Sequence, residues 1–287
     1  MTEVKGPGQR ETPRPRVTRS GIPIHVPDDF GGMRRAGRLA AEVLDMIGEH
    51  VRPGVRTDYL DTLCKTFMLE RGAVPATLGY RDYPKSSCIS INHVVCHGIP
   101  SERRLRNGDI LNIDVTCILD GWHGDSSRMY IAGKAGRKAL RLIEITHDSL
   151  MRGLEQIRPG NTFGDIGAAI QSHAESNRCS VVRDFCGHGL GRVFHAPPNV
   201  LHFGRKGTGD VLEEGMFFTV EPMINAGRPQ TKILSDAWTA VTRDRSLSAQ
   251  FEHSVGVTAD GCEIFTLSPK ELFFPTWEIA DSGNSRP

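Results

Sequence analysis

None of the seven cysteines (Cys64, Cys88, Cys96, Cys117, Cys179, Cys186 and Cys262) stands at CxxC spacing from another, and an odd set cannot all pair. These two facts argue against a structural zinc cage and a secreted disulfide framework, and favour a reducing compartment. No apolar run approaches the ~20 residues that cross a bilayer. The opening stretch, MTEVKGPGQRETPRPRVTRSG, lacks the apolar core of a secretory signal, and Glu3, Glu11 and the prolines set it apart from an organelle transit peptide. Charge of one sign is missing too. Thirty-five Lys and Arg against 34 Asp and Glu leave a net +1, so no global field draws the chain to nucleic acid or membrane. There is no GxSxG elbow, no cysteine beside an obvious base and no Walker lysine. That removes the usual routes to a covalent nucleophile or a phosphate-cradling loop. The expectation is a soluble cytoplasmic protein with no DNA or membrane partner.

What is present is a chain of 287 residues, 38% hydrophobic, enough to bury a full core without staples. Residues 1–26, with Pro7, Pro13, Pro15, Pro23 and several Arg, predict a flexible or extended arm. Residues 268–287 predict a short tail, leaving 27–267 as one domain. Asp28 or Asp29 is placed to cap a helix whose apolar positions, Met33, Ala36, Ala40, Val43, Leu44 and Ile47, recur at helical spacing until Pro53-Gly54. An internal echo follows. VRPGVRTDYLDTLC at 51–64 resembles IRPGNTFGDIGAAI at 157–170, an offset of 106 residues. Pro-Gly alone is a common helix stop, but Leu60, Leu63 and Cys64 also correspond to Ile166, Ala169 and Ile170. A duplicated unit of two helices and a sheet accounts for this. Two such units predict an α+β domain with pseudo-twofold symmetry and groups from both halves near the axis.

Five hard metal donors fall in order along the chain: Asp114, Asp125, His188, Glu221 and Glu252. Their spacings of 11, 63, 33 and 31 residues fit no local metal loop, so only a fold can gather them. Together they suit two divalent cations side by side, which would activate water. Asp120-Gly121 signals a two-residue hairpin turn, which sets Leu119 opposite Trp122 and Thr116 opposite Asp125. Asp114 then shares a face with Thr116, diagonal to Asp125, and two carboxylates so close call for a cation between them. Solvated strand carboxylates are the plainer reading, but Ile113, Val115 and Cys117 indicate a buried sheet. Gly187 and Gly189 leave His188 open to close approach. Pro222 holds Glu221 extended, and apolar neighbours surround both Glu221 and Glu252, where an unpaired charge is costly. His97 and His195 end apolar runs and suit hydrogen-bond donation to a carbonyl oxygen. His93, His123, His202 and His253 are left as structural or exposed.

The strings GYRDYPKSSCISINHVVCHGIP, NGDILNIDVT, DGWHGDSS, VVRDFCGHGLGRVFHAPP, FTVEPMINAG and RDRSLSAQFEHSV together resemble the type I methionine aminopeptidases, from about Met33 to Leu267. The resemblance implies the pita-bread fold, a pseudo-twofold αα/ββ repeat around a central antiparallel sheet. It implies a hydrolase that removes the N-terminal methionine of nascent chains when the second residue is small. Asp114 would hold one ion, Asp125 and Glu252 both, and His188 and Glu221 the second, the metal being Co, Mn, Fe, Zn or Mg. Glu221 would also shuttle a proton, with His97 and His195 as catalytic partners. Tyr80, Tyr83, Cys88, His97, Phe194, His195 and Trp238 would bind the substrate. A monomer and a weak ribosome contact, through Arg103, Arg104 and Arg106 or Arg228, Lys232 and Arg243, complete the picture. Thr77, His93 and Ala237 depart from common family residues (Cys, Glu and Gly). The alternatives are an Xaa-Pro-cleaving peptidase of the same fold and a non-catalytic binding module.

Overall fold

Four α-helices among the described residues form two pairs: α1 (Pro27–Gly48) with α2 (Thr57–Leu69), and α3 (Arg137–Leu154) with α4 (Phe163–Ser176). The structure, a computed structural model, describes residues 16–272. Each pair turns at its Pro-Gly, where Gly54 (φ 89°) and Gly160 (φ 90°) take the left-handed backbone that a side chain resists. Their N–H groups donate to the carbonyls of buried leucines, Leu105 (2.7 Å) and Leu212 (3.1 Å). The ends of α1 and α3, and the starts of α2 and α4, are separated by the same 106 residues as the sequence echo. The duplication is thus a repeat of structure, down to its hydrogen bonds.

The apolar stripe expected for α1 is its buried face: Met33, Ala36, Ala40, Val43, Leu44 and Ile47 are all inaccessible. The capping differs from expectation. Val26 occupies the cap, and Asp29 reaches back from the first turn to accept its N–H (3.1 Å). Proline at the first helical position pre-sets the backbone there, so the acids sit inside the turn, favoured by the helix dipole.

Every strand pairing is antiparallel. The long hairpin Ile110–Leu119/Trp122–Ile131 joins Cys88–Ile91 and Val74–Pro75 in the first half. In the second, Phe217–Val220 lies between Gly187–Gly189 and His253–Val257, flanked by Ala196–Val200 and Cys262–Ile264. Two three-stranded sheets and a two-stranded ribbon complete the set among the described residues, one three-stranded sheet pairing Val94–Cys96 of the first half with Ala240–Thr242 of the second. Each half has its own core. Leu44, Leu60, Met68, Ile113 and Val115 fill the first, and Leu150, Ile166, Phe218, Ile224 and Val255 the second. A third cluster, Phe30, Met33, Trp122, Leu190, Phe217 and Phe265, bridges them.

Part of the expected arm is fastened down. Arg16–Val17 pairs with Pro23–Ile24, Ile22 and Ile24 are buried, and the His25 ring stacks on Phe217 at 4.1 Å. Isoleucines at positions 22 and 24 give this stretch an apolar anchor that the prolines before it lack. Ser268, the first residue of the expected tail, is buried and donates to Asp45 (2.9 Å). The remainder, 1–15 and 273–287, lies outside the described residues.

Candidate metal centre

The hairpin supplies the first two acids. Asp120 (φ 52°) and Gly121 (φ 77°) make the two-residue turn, and the register pairs Leu119 with Trp122, Thr116 with Asp125 and Asp114 with Ser127. This is the register that the Asp-Gly turn predicts. Thr116 donates its hydroxyl to Asp125 Oδ1 (2.7 Å). A Cβ at Gly124 would collide with the Ala36 carbonyl, so glycine there lets α1 press against the hairpin beside Asp125.

The second half delivers the rest. His188 stands between two glycines because its strand is hemmed in. A Cβ at Gly187 would meet the Thr219 carbonyl, and one at Gly189 the Pro197 carbonyl. The Thr219 hydroxyl accepts the His188 N–H (3.0 Å) and donates to Glu221 Oε1 (2.7 Å), while Gln250 Nε2 reaches Oε2 (3.3 Å). Buried His202 accepts the Glu221 N–H at Nε2 (3.0 Å). The sequence left His202 as structural or exposed, and its structural task is to hold this glutamate. Glu252 is tied to the hairpin: its N–H donates to Ser127 C=O (3.1 Å) and Ser126 Oγ donates to its carbonyl (2.8 Å). Ser254 Oγ donates to the Asp125 carbonyl (2.6 Å). These cross-links draw acids from the two halves together.

One ligand atom each of Asp125, His188 and Glu252 lies within 4.8 Å of the other two. His188 Nε2 is 3.5 Å from Asp125 Oδ2 and 3.8 Å from Glu221 Oε1. All five expected donors line a single cavity of about 580 Å³. Burial, and then repulsion by the neighbouring acids, pushes Asp114 and Glu252 well above the carboxylate range. Burial also raises Glu221 to about 7, against the pull of His188. His188 runs the other way. Burial alone would lower it, but its hydrogen bond to Asp125 and the charge of Glu221 raise it. Crowded, desolvated carboxylates with one imidazole are a hard donor set that a divalent cation satisfies and that water cannot. The residues present therefore fit a divalent metal.

The same cavity is lined by Tyr80, Tyr83, Cys88, His97, Phe194, His195 and Trp238, every expected substrate contact. Tyr83 meets Trp238 edge-on (5.1 Å), Tyr80 packs on Phe194 (4.9 Å), and His195 lies 4.1 Å from the His188 ring. Burial lowers His97, and burial with His188 nearby lowers His195 to about 4. Sequence reasoning missed Phe185, whose ring meets His97 edge-on at 5.5 Å, and Met223. Met223 was findable, because two residues after Glu221 a strand side chain returns to the same face. Nothing comparable marked Phe185. His123 is buried, bonded to the Gly191 carbonyl (2.9 Å) and stacked on Phe194, consistent with a structural role.

The sequence pattern of metallopeptidase family M24 matches residues 31–259. The chain is 61% identical over 258 residues to a methionine aminopeptidase of Rickettsia prowazekii (strain Madrid E), covering 89% of this chain and 99% of the relative. It is 54% identical to that of Escherichia coli (strain K12), covering 86% and 94%. The crystal structure of methionine aminopeptidase from Rickettsia prowazekii superposes with a TM-score of 0.85 at 60% identity, covering 86% of this chain and all of that one. The chain belongs to metallopeptidase family M24, and within it to the methionine aminopeptidases. The fold is accordingly the pita-bread fold, and the protein a metal-dependent hydrolase of the exopeptidase kind.

Proposed function

We propose that this chain removes the N-terminal methionine from nascent polypeptides whose second residue is small, working with two divalent ions. The observation that carries this is the single cavity in which five hard donors adjoin an apolar wall. Asp114, Asp125 and Glu252 would hold one ion, and Asp125, Glu252, His188 and Glu221 the other. Bound there, the ions supply a lowered pKa for water and a Lewis acid for the scissile carbonyl. Mn, Fe, Co, Zn and Mg all suit such a donor set, and availability in the cell often decides among them.

The side chains divide the remaining work. Glu221, which lines the cavity beside His188, would take a proton from the attacking water and pass it to the leaving amine. His97 and His195, kept neutral by burial, can donate hydrogen bonds to the carbonyl oxygen as its charge grows. Tyr83, Cys88, Phe185 and Trp238 offer the polarisable apolar enclosure that suits a thioether. Turnover of Met-Ala-Ser, with none of Ala-Pro-Ser, is the expected result, and Asp125→Ala abolishes it. Retained turnover in that variant sinks the shared-ligand role of Asp125. Cleavage confined to Xaa-Pro bonds would favour the other peptidase of this fold. The intact donor set speaks against a binding module without catalysis.

No helix among the described residues is long and apolar enough to cross a membrane; we place the enzyme in the cytoplasm, as a monomer, where nascent chains emerge. Exposed Arg103 and Lys232, one from each basic group noted in the sequence, both lie near enough to His93 to disfavour its charge, as does exposed Arg245, so basic side chains from both halves share a surface there. That surface fits a weak contact with ribosomal RNA. Co-sedimentation with ribosomes should weaken as salt rises, and salt-independent binding would exclude phosphate contacts.

A further inference from the structure

Asp61 does not line the cavity, yet it is buried on α2 at 6% exposure with three donors on one oxygen. Its Oδ1 accepts the Ser86 N–H (2.9 Å), the Ser87 N–H (2.8 Å) and the Ser87 hydroxyl (2.8 Å). The next residue, Cys88, lines the cavity. The Ser87 carbonyl in turn lies 3.1 Å from Tyr83 Oη, whose single proton is shared with the Gly98 carbonyl, also at 3.1 Å. Gly98 follows His97, and the Tyr83 ring rests edge-on against Trp238. One carboxylate is thus the root of a hydrogen-bonded series that reaches Cys88, Tyr83 and the His97–Gly98 strand end. The position 106 residues on is Gly167, packed against the Leu201 and Phe203 carbonyls. The repeat therefore does not require an acid at this point, and only the half that carries Tyr83 and Cys88 has one.

We infer that Asp61 is a positioning residue for substrate binding: it fixes the Tyr83–Cys88 segment so that the apolar wall is preformed for the first side chain of the peptide. A preformed wall grips substrate and transition state alike, so its loss raises KM more than it lowers kcat. This rests on the methionine-release reading, and the test keeps the two apart. Asp61→Ala should raise KM for Met-Ala-Ser about tenfold, a loss in keeping with charge-assisted hydrogen bonds. In that variant kcat should fall less than about threefold and bound metal per chain should equal the wild type. Asp61→Asn, which keeps an acceptor oxygen, should restore most of the affinity. Calorimetric binding of L-methionine should weaken by the same factor, and this readout holds even if wild-type turnover fails and the functional reading with it. Should Asp61→Ala not fold, Ser87→Ala decides: it removes one donor, and a KM rise of about twofold is expected. Unchanged KM and methionine affinity, or a fall confined to kcat, would overturn the inference.

Discussion

Arg81, His97 and Ala237 stand at or beside the cavity on backbone with positive φ, at 47°, 56° and 65°. For an L-residue the left-handed region costs about 1–2 kcal/mol, and such strain gathers where function holds a side chain in place. None of this could be read in the sequence, because VVCHGIP and SDAWT carry no residue that demands a left-handed turn. The reason lies in the turn around Ala237. Asp236 accepts the Trp238 N–H (3.0 Å), the Thr239 N–H (2.8 Å) and the Thr239 hydroxyl, and so winds the turn that presents Trp238. Ala237 stands where the resemblance led us to expect glycine, and its side chain is exposed. Ala237→Gly removes the Cβ strain but loosens the unfolded chain by about 0.5–1 kcal/mol. The net expectation is a gain of up to about 1 kcal/mol with kcat unchanged. Urea melts of both proteins measure it, and a destabilised variant would show that the turn is not strained.

At the scale of elements, legibility followed from how local the determinant was. The hairpin register was open to reading because an Asp-Gly turn fixes it within four residues, and the α1 face because one helix carries its own periodicity. The link between them was not. Asp45 on α1 is 2% exposed and pairs with Arg128 of the hairpin (2.7 Å), while Ser268 donates to the same carboxylate (2.9 Å). Residues 83 positions apart, each resembling an ordinary surface charge, gave no sign of this. Asp45→Ala would leave Arg128, itself largely buried, without its carboxylate. A buried charge stripped of its partner costs about 3–5 kcal/mol, whereas an apolar pair of similar volume is often neutral. Asp45→Ala should therefore lose about that much in denaturant melts, and Asp45→Leu with Arg128→Met should recover most of it. Equal losses in both would show that shape rather than charge holds the junction.

Across the whole molecule, the donor set was legible as residue types and order, and the repeat told which half each came from. What the sequence did not contain was the joint itself, the seryl and backbone bonds from 126, 127 and 254 that bring Asp125 beside Glu252. Those contacts are made between strands more than a hundred residues apart and depend on both halves being folded. A pair of divalent ions, one held by Asp114, Asp125 and Glu252 and the other by Asp125, Glu252, His188 and Glu221, would clasp the joint. They would also relieve the repulsion that pushes Asp114 and Glu252 upward. An ion that binds only the folded chain adds about 2.7 kcal/mol at a hundredfold excess over its Kd. For a domain of this size that corresponds to a rise in Tm of roughly 5–10 °C. Calorimetry of chelator-stripped protein, with and without Mn, Co, Zn or Mg, should show the rise, and Asp125→Ala should erase most of it. A melting temperature indifferent to every ion would mean that the five side chains do not act together as a metal site across the two halves.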